Sequence, residues 1–370
     1  MDTPKRGLDL TKLRVRPLAE RRSLSQLEQI LIDPDASPPP CPAGAAAVIR
    51  DCAHAIKAAR SIGATVLLMY GAHLVKNGLG AVVNRLISRG WVTHLATNGA
   101  GAIHDWELAF FGRTEESVRE NIASGTFGAW DETGRFIHIA LLVGGLRREG
   151  FGAALGRFIA EDGTELPNPS ELREKLERAP ADAAAPAIAE LLHAMQKHQL
   201  AHGRLTVLHR SKHGSVLATA FEHGVNLTVH PGIGYDIISC HPMFNGAAIG
   251  RAAQTDFELL AGAIDRLDGG VVLAVGSAVM APQVFEKAIS CVNNLRVQQA
   301  REVVRNHAIY VVDIQDAGGW DWSRGEPPKT SPAYYLRFCK SFARAGGSMR
   351  YVQCDNVVFL HNLLSQLERG

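Results

Sequence analysis

Thr93-His-Leu-Ala-Thr97-Asn98-Gly99-Ala100-Gly101-Ala102-Ile103-His104-Asp105-Trp-Glu107 runs from an apolar strand through a glycine-rich turn into a helix. Small residues at Gly99, Ala100 and Gly101 let a backbone come close to a ligand. The first N–H groups of the following helix have no intrahelical partner and favour negative charge. A phosphate or nucleotide suits such a turn, and so does a plain strand-to-helix connection that needs glycine. The other turns of the chain decide between the two.

Working outward, Thr65-Val-Leu-Leu-Met-Tyr70 is a fully apolar run of strand length, which belongs in the middle of a parallel sheet. An Ala-rich amphipathic helix from Ala43 to Ser61 precedes it, and Gly71-Ala72-His73-Leu74-Val75-Lys76-Asn77-Gly78 follows, leading to a helix over Leu79–Ser88. Trp91–Ala96 is the strand that enters the opening turn. The unit then repeats: Gly224–Val229 leads to His230-Pro231-Gly232-Ile233-Gly234-Tyr235-Asp236, Gly270–Val275 to Gly276-Ser277-Ala278, His307–Asp313 to a polar aromatic loop over Gln315–Ser331, and Ser348–Cys354 to Asp355-Asn356. Helices over Ala247–Leu267, Pro282–Val304, Pro332–Ala345 and Val357–Leu367 alternate with these strands. Arg135–Val143 reads as a strand or a helix start.

Alternation throughout predicts an α/β fold with a mostly parallel, doubly wound, Rossmann-like sheet whose ligands sit at the carboxyl ends of the strands. The expected organisation is an N-terminal arm over residues 1–43 and one such domain over 44–370, with a helical insertion at about 150–203. The arm, with Pro38-Pro39-Pro40 and Pro42, is expected to carry a short helix around Leu24–Ile32.

Composition narrows the partners. The chain has 370 residues, 46% hydrophobic and 21% charged, with 39 basic and 37 acidic side chains for a net charge of +2. That balance leaves no electrostatic footprint for nucleic acid or an anionic membrane. Small molecules and copies of itself are the expected partners. Met1 to Leu10 contains no apolar core, and the six cysteines form no Cys-x-x-Cys pair. A cytoplasmic protein with reduced thiols is expected. His104 with Asp105, His230 and His241 lie at strand ends, but no His-x-x-x-His pair supports a metal site and none is expected; His73 or His230 suits hydrogen bonding to a cofactor ribose or phosphate.

Taken in order, these turns resemble those of deoxyhypusine synthase, from roughly Gly63 to the C-terminus. The likeness rests on His73-Leu-Val-Lys-Asn-Gly78, on Thr97-Asn-Gly-Ala-Gly101 with Asp105, on Val229-His-Pro-Gly-Ile-Gly-Tyr-Asp236, on Gly276-Ser277 and on Cys354-Asp355-Asn356-Val357. It implies a Rossmann-like NAD-binding fold in a homotetramer. NAD would then be held by His73, Asn77, Gly78, Thr97, Asn98, Gly99, Gly101, Asp236, Gly276, Ser277, Asp355 and Asn356. The family's catalytic lysine follows a proline after seven residues, and Pro332-Ala-Tyr-Tyr-Leu-Arg-Phe-Cys-Lys340 has that spacing, which implies Lys340 as nucleophile, with Lys329 an outside competitor. Phe338 falls where the family carries a tryptophan against the polyamine.

For an amine or polyamine substrate, Asp105, Glu107, Asp236, Asp316 and Asp321 are the carboxylates available, and Trp320, Trp322 and Phe338 the apolar walls. The sequence departs from the family at three places, one of them Lys76, a positive charge beside the expected cofactor site where the family tends to have small polar residues. Ala278-Val-Met-Ala-Pro282 stands where a catalytic histidine belongs, and the acidic substrate loop is replaced by Asp316-Ala-Gly-Gly-Trp320-Asp321-Trp322. The implied activity is NAD-dependent oxidation of an amine, aminoalkyl transfer through a lysine and re-reduction. Two alternatives stand beside it: a nucleotide-binding protein of the same fold without the chemistry, and an NAD-assisted amino-acid deaminase or cyclase, which Lys76 as a carboxylate partner favours.

Overall fold

Val66–Tyr70 (β1) is fully buried along its whole length, and the rest of the fold is built on both sides of it. The computed structural model describes residues 7–369. The further strands of the central sheet are His94–Asn98 (β2), Asn226–His230 (β3), Val271–Val275 (β4), Ala308–Asp313 (β5) and Ser348–Gln353 (β6). They lie in the order β3-β2-β1-β4-β5-β6 and every pairing is parallel. The order runs outward in both directions from β1, so the chain switches direction between β1 and β4. That is the switch point at which doubly wound sheets open a crevice for ligands.

Strand alternation divides the core into two layers. Val66, Leu68 and Tyr70 face one side with the helices Ala43–Ser61, Gly80–Ser88 and Asn356–Glu368. Leu67 and Met69 face the other, where Met280–Gln298 and Arg337–Ala343 pack. Burial on both faces explains why these strands read as unbroken apolar runs.

Three local expectations change and one open choice is settled. β2 covers His94–Asn98 rather than Trp91–Ala96, because its polar residues are satisfied inside the sheet: Thr97 Oγ1 donates to the Tyr70 carbonyl at 3.0 Å. Arg135–Val143 belongs to a helix, Asp131–Gly145. The helix expected over Pro332–Ala345 is split into Pro332–Tyr335 and Arg337–Ala343. The region at 150–203 holds the helices Phe151–Ala160, Pro169–Arg178 and Ala185–Lys197, and also an antiparallel ribbon of Gly163–Leu166 with Gly203–Thr206. Phe151–Ala160 packs directly on β3, where a Cβ on Gly152 would stand 1.6 Å from the Leu227 carbonyl oxygen.

The N-terminal arm is tied down. Ser25–Gln26 pairs antiparallel with Arg113–Thr114, and Ile32 N–H donates to the Gly78 carbonyl at 3.0 Å. Among the described residues no helix is long and apolar enough to cross a membrane.

Candidate functional site

The crevice at the switch point is a cavity of about 460 Å3 lined by the loops after β1, β4, β5 and β6. Small-molecule and cofactor sites run from roughly 300 to 1,000 Å3. Gly71 ends β1 and Gly276 ends β4. A Cβ on Gly71 would stand 2.4 Å from the Gly276 carbonyl oxygen, and Gly276 itself has φ +57°, so these two turns meet only as glycines. Across the opening, Asn77 Nδ2 donates to Asn356 Oδ1 at 2.9 Å, joining the β1 turn to the β6 turn.

Polar and apolar groups are segregated along the wall. The Met280–Gln298 helix begins in the cavity with no side-chain cap at Val279; Ser277 Oγ accepts from Ala281 N at 3.3 Å. Ala281 N–H is thus engaged and Pro282 has none, which leaves the N–H of Met280, a lining residue, as the free donor among the first three residues of this helix. Asp313 ends β5, and Asp355, two residues past β6, caps the last helix through Val357 N at 2.8 Å. Val279 and Ile314 give the rim an apolar surface, each 71% exposed.

Of the residues expected to hold a cofactor, His73, Asn77, Asn98, Gly276, Ser277, Asp355 and Asn356 line this cavity. Gly78, Thr97, Gly99, Gly101 and Asp236 do not. Gly78 lies under the arm, where a Cβ would be 1.8 Å from the Ile30 carbonyl oxygen. Thr97 is spent on the Tyr70 carbonyl, and Gly101 leaves room for the Thr97 hydroxyl.

The opening turn carries its own anion. Asn98 Oδ1 accepts from Gly101 N at 2.8 Å, and the Asp236 carboxylate accepts from the Ala100 N–H and, at 2.7 Å, from Gly232 N. A Cβ on Gly99 would touch that carboxylate, 2.0 Å from Oδ2. Burial pushes the Asp236 carboxyl up to about 6, against the pull of its backbone donors. The seat that the glycine pattern offers to a phosphate is filled by a side chain 130 or more residues downstream, which no local motif reveals.

The residues expected around the substrate lie elsewhere, and none lines this cavity. Asp105 is buried and caps Val216–Glu222, accepting from Val216 N at 2.8 Å and from the Ser215 hydroxyl; burial lifts it to about 6. Asp316 and Asp321 are exposed and accept from Gly318 N and Ser323 N of their own turns. Trp320 donates its indole N–H to the Gly325 carbonyl, while Trp322 and Phe338 are packed in the second core layer. Lys340 Nζ stands over the Tyr334 ring, 3.8 Å from its centroid. Asp313, Ile314 and Gln315, at the carboxyl end of β5 where ligands are expected, also line the cavity; Gly71 and Met280 line it without having been singled out as ligand-binding residues, and their place just after β1 and β4 is the signal that finds them.

The sequence matches no protein-family profile and no curated protein. Among solved structures it is similar to AgrE in a ternary complex with ornithine and NAD+ (15% identity, TM-score 0.42, covering 88% of this chain and 33% of that one). ArgZ, an arginine dihydrolase from the ornithine-ammonia cycle in cyanobacteria, is similar at 13% identity and TM-score 0.38, over 87% of this chain and 32% of that one. An LOR/SDH protein from Methanococcus maripaludis S2 follows at 14% identity and TM-score 0.40, over 96% and 74%. The chain spans about a third of the length of the AgrE and ArgZ chains.

None of these is a deoxyhypusine synthase. The resemblance drawn from the order of the turns is corrected accordingly. What those turns share with that family is the general geometry of a doubly wound sheet, whose strand ends favour glycine, asparagine and aspartate.

Proposed function

We propose that the chain binds NAD in the switch-point cavity and serves an NAD-assisted transformation of an amino acid, of the deaminating or cyclising type. One observation carries the cofactor half: a cavity of about 460 Å3 opens at the reversal of the 3-2-1-4-5-6 strand order, with a glycine at the end of each of the two strands that flank it. The residues present fit the group. The Met280 N–H and the Ser277 hydroxyl suit the pyrophosphate, Asp313 and Asp355 suit ribose hydroxyls, and Val279 and Ile314 offer apolar faces to the rings. NAD, when bound, supplies a hydride acceptor and donor. The chain's own part is to hold it, with the Asn77–Asn356 bridge fixing the opening at which a substrate would enter.

The amino-acid half keeps the alternative read from the sequence, but not on Lys76, which is paired with Glu115 at 2.8 Å and does not line this cavity. Ornithine, which with NAD+ occupies one of the similar structures, is a natural probe, and arginine is another.

Calorimetric titration with NAD+, followed by ornithine or arginine with ammonia release as the readout, tests both halves. The expected result is saturable NAD+ binding that is lost in Gly71→Val, and ammonia formed only with NAD+ and one amino acid present. A folded protein that ignores millimolar NAD+ overturns the cofactor reading. Binding of NAD+ with no turnover of either amino acid overturns the substrate reading alone.

A further inference from the structure

Beneath the N-terminal arm lies a second cavity, of about 210 Å3, too small for a nucleotide. Ile103, Val118, Phe127 and Ile237 form its apolar wall, and Tyr235, 71% exposed, stands at its mouth. The charged residues around it come from separated stretches of the chain, and they do not balance.

Both cations are already engaged. Arg21 Nη1 lies 2.7 Å from Glu107 Oε1, each side chain 1% exposed, and the hydroxyls of Thr114 and Thr133 donate to the same carboxylate at 2.6 and 2.8 Å. Lys76 Nζ lies 2.8 Å from Glu115, which also accepts from the Ser25 hydroxyl. His104 shares a hydrogen bond with Thr114 at 2.6 Å, and burial depresses it to about 4, so it is neutral near pH 7.

Two carboxylates remain. Glu116 accepts from Gly128 N at 3.1 Å, from Trp130 Nε1 at 2.9 Å and from the Asn121 amide. Asp236, 4% exposed, accepts only from backbone N–H groups. Neither has an ion-pair partner among the described residues. A neutral or anionic occupant would leave both carboxylates with hydrogen bonds but no counter-ion in a low-dielectric pocket, whereas a cationic head would add charge-assisted hydrogen bonds to them. The apolar wall asks for a carbon stem behind that head, which a bare metal ion lacks.

We infer that this cavity binds a small organic cation, an ammonium group on a short aliphatic chain, with its head at Asp236 and Glu116 and its stem along Ile103, Phe127 and Ile237. The aromatic face of Tyr235 closes over it. This does not rest on the NAD reading, because the two cavities have no lining residue in common.

The test uses the full chain with no nucleotide present. n-Butylammonium chloride is titrated by calorimetry and by thermal unfolding against sodium chloride of equal ionic strength, with sodium butyrate as the reversed-charge control. Saturating butylammonium is expected to raise the unfolding midpoint by about 2–4 °C over sodium chloride, with no rise from butyrate. Asp236→Asn is expected to weaken butylammonium at least about tenfold. Phe127→Ala, which leaves the charges and the Gly99 turn untouched, is expected to weaken it several-fold and serves if the first variant does not fold. A response no larger than that to sodium chloride, or one equal in wild type and Phe127→Ala, overturns the proposal. Because NAD+ is absent throughout, failure here leaves NAD+ binding to be judged by its own titration.

Discussion

Gly71 and Gly276 meet across the switch point, with the position of a Gly71 Cβ only 2.4 Å from the Gly276 carbonyl oxygen. Since the obstacle is backbone, a methyl group there must push the β1 and β4 turns apart. Gly71→Ala is expected to cost about 1–3 kcal/mol and to weaken any cavity ligand about tenfold or more. Gly71 has φ −103°, so the cost comes from contact and not from backbone strain. Gly63→Ala is the control: with φ +73° and open space around it, it strains the backbone but leaves the cavity alone. Urea unfolding and NAD+ titration of both variants would separate the two effects.

The Arg21–Glu107 pair joins the arm to the domain at 2.7 Å with both side chains out of water. Removing only the cation, in Arg21→Met, strands Glu107 in the interior and is expected to cost about 3–5 kcal/mol. Arg21→Met combined with Glu107→Gln should recover much of that loss, since no buried charge is left alone. A double variant as unstable as the single one in urea would mean that packing, not charge, makes the contact.

Acid should weaken the fold. Burial depresses His94 to about 3 and His104, His138, His209, His230 and His241 to about 4. Each favours folding fully above its unfolded value near 6.5 and loses that contribution as pH falls toward 4. Asp105, Asp236 and Asp256 act in the opposite sense, because burial lifts them to about 6, 6 and 7, so the folded state takes up their protons first. Each proton of difference is worth about 1.4 kcal/mol per pH unit, and six histidines outweigh three aspartates. The unfolding midpoint should fall between pH 6.5 and 4; a midpoint that climbs over that interval contradicts the burial of these rings.

Lys340 packs its ammonium over Tyr334 and lies outside the switch-point cavity. Lys340→Ala should cost about 0.5–1 kcal/mol from the lost cation–π contact and leave NAD+ binding unchanged. Loss of NAD+ binding in a folded Lys340→Ala protein would put this residue back in the site.

What could be read in the sequence was whatever repeats locally. β1 and β4 are continuous apolar runs because helices cover both their faces, and the turns after them stand out through Gly71 and Gly276. β2 was harder to place, since Thr97 and Asn98 are polar and become strand residues only through partners in β1 and in the helix that follows. Contacts set by long-range docking left no local mark. Asp236 fills the helix start at Gly99, and Gly78 is a glycine because of Ile30 rather than because of a ligand. The second cavity takes Arg21 from the arm, Lys76 from the β1 turn and Glu116 from beyond the helix Gly99–Phe111, a grouping that only the docked arm creates.

Lys76 and Asn77 are consecutive residues that belong to different cavities, one peptide bond apart. The short helix Ala72–Lys76 is thus a party wall. An occupant that pulls this turn toward one side displaces the lining of the other, and thermodynamic reciprocity then governs the pair: whatever factor a ligand in the first compartment imposes on affinity in the second is returned unchanged.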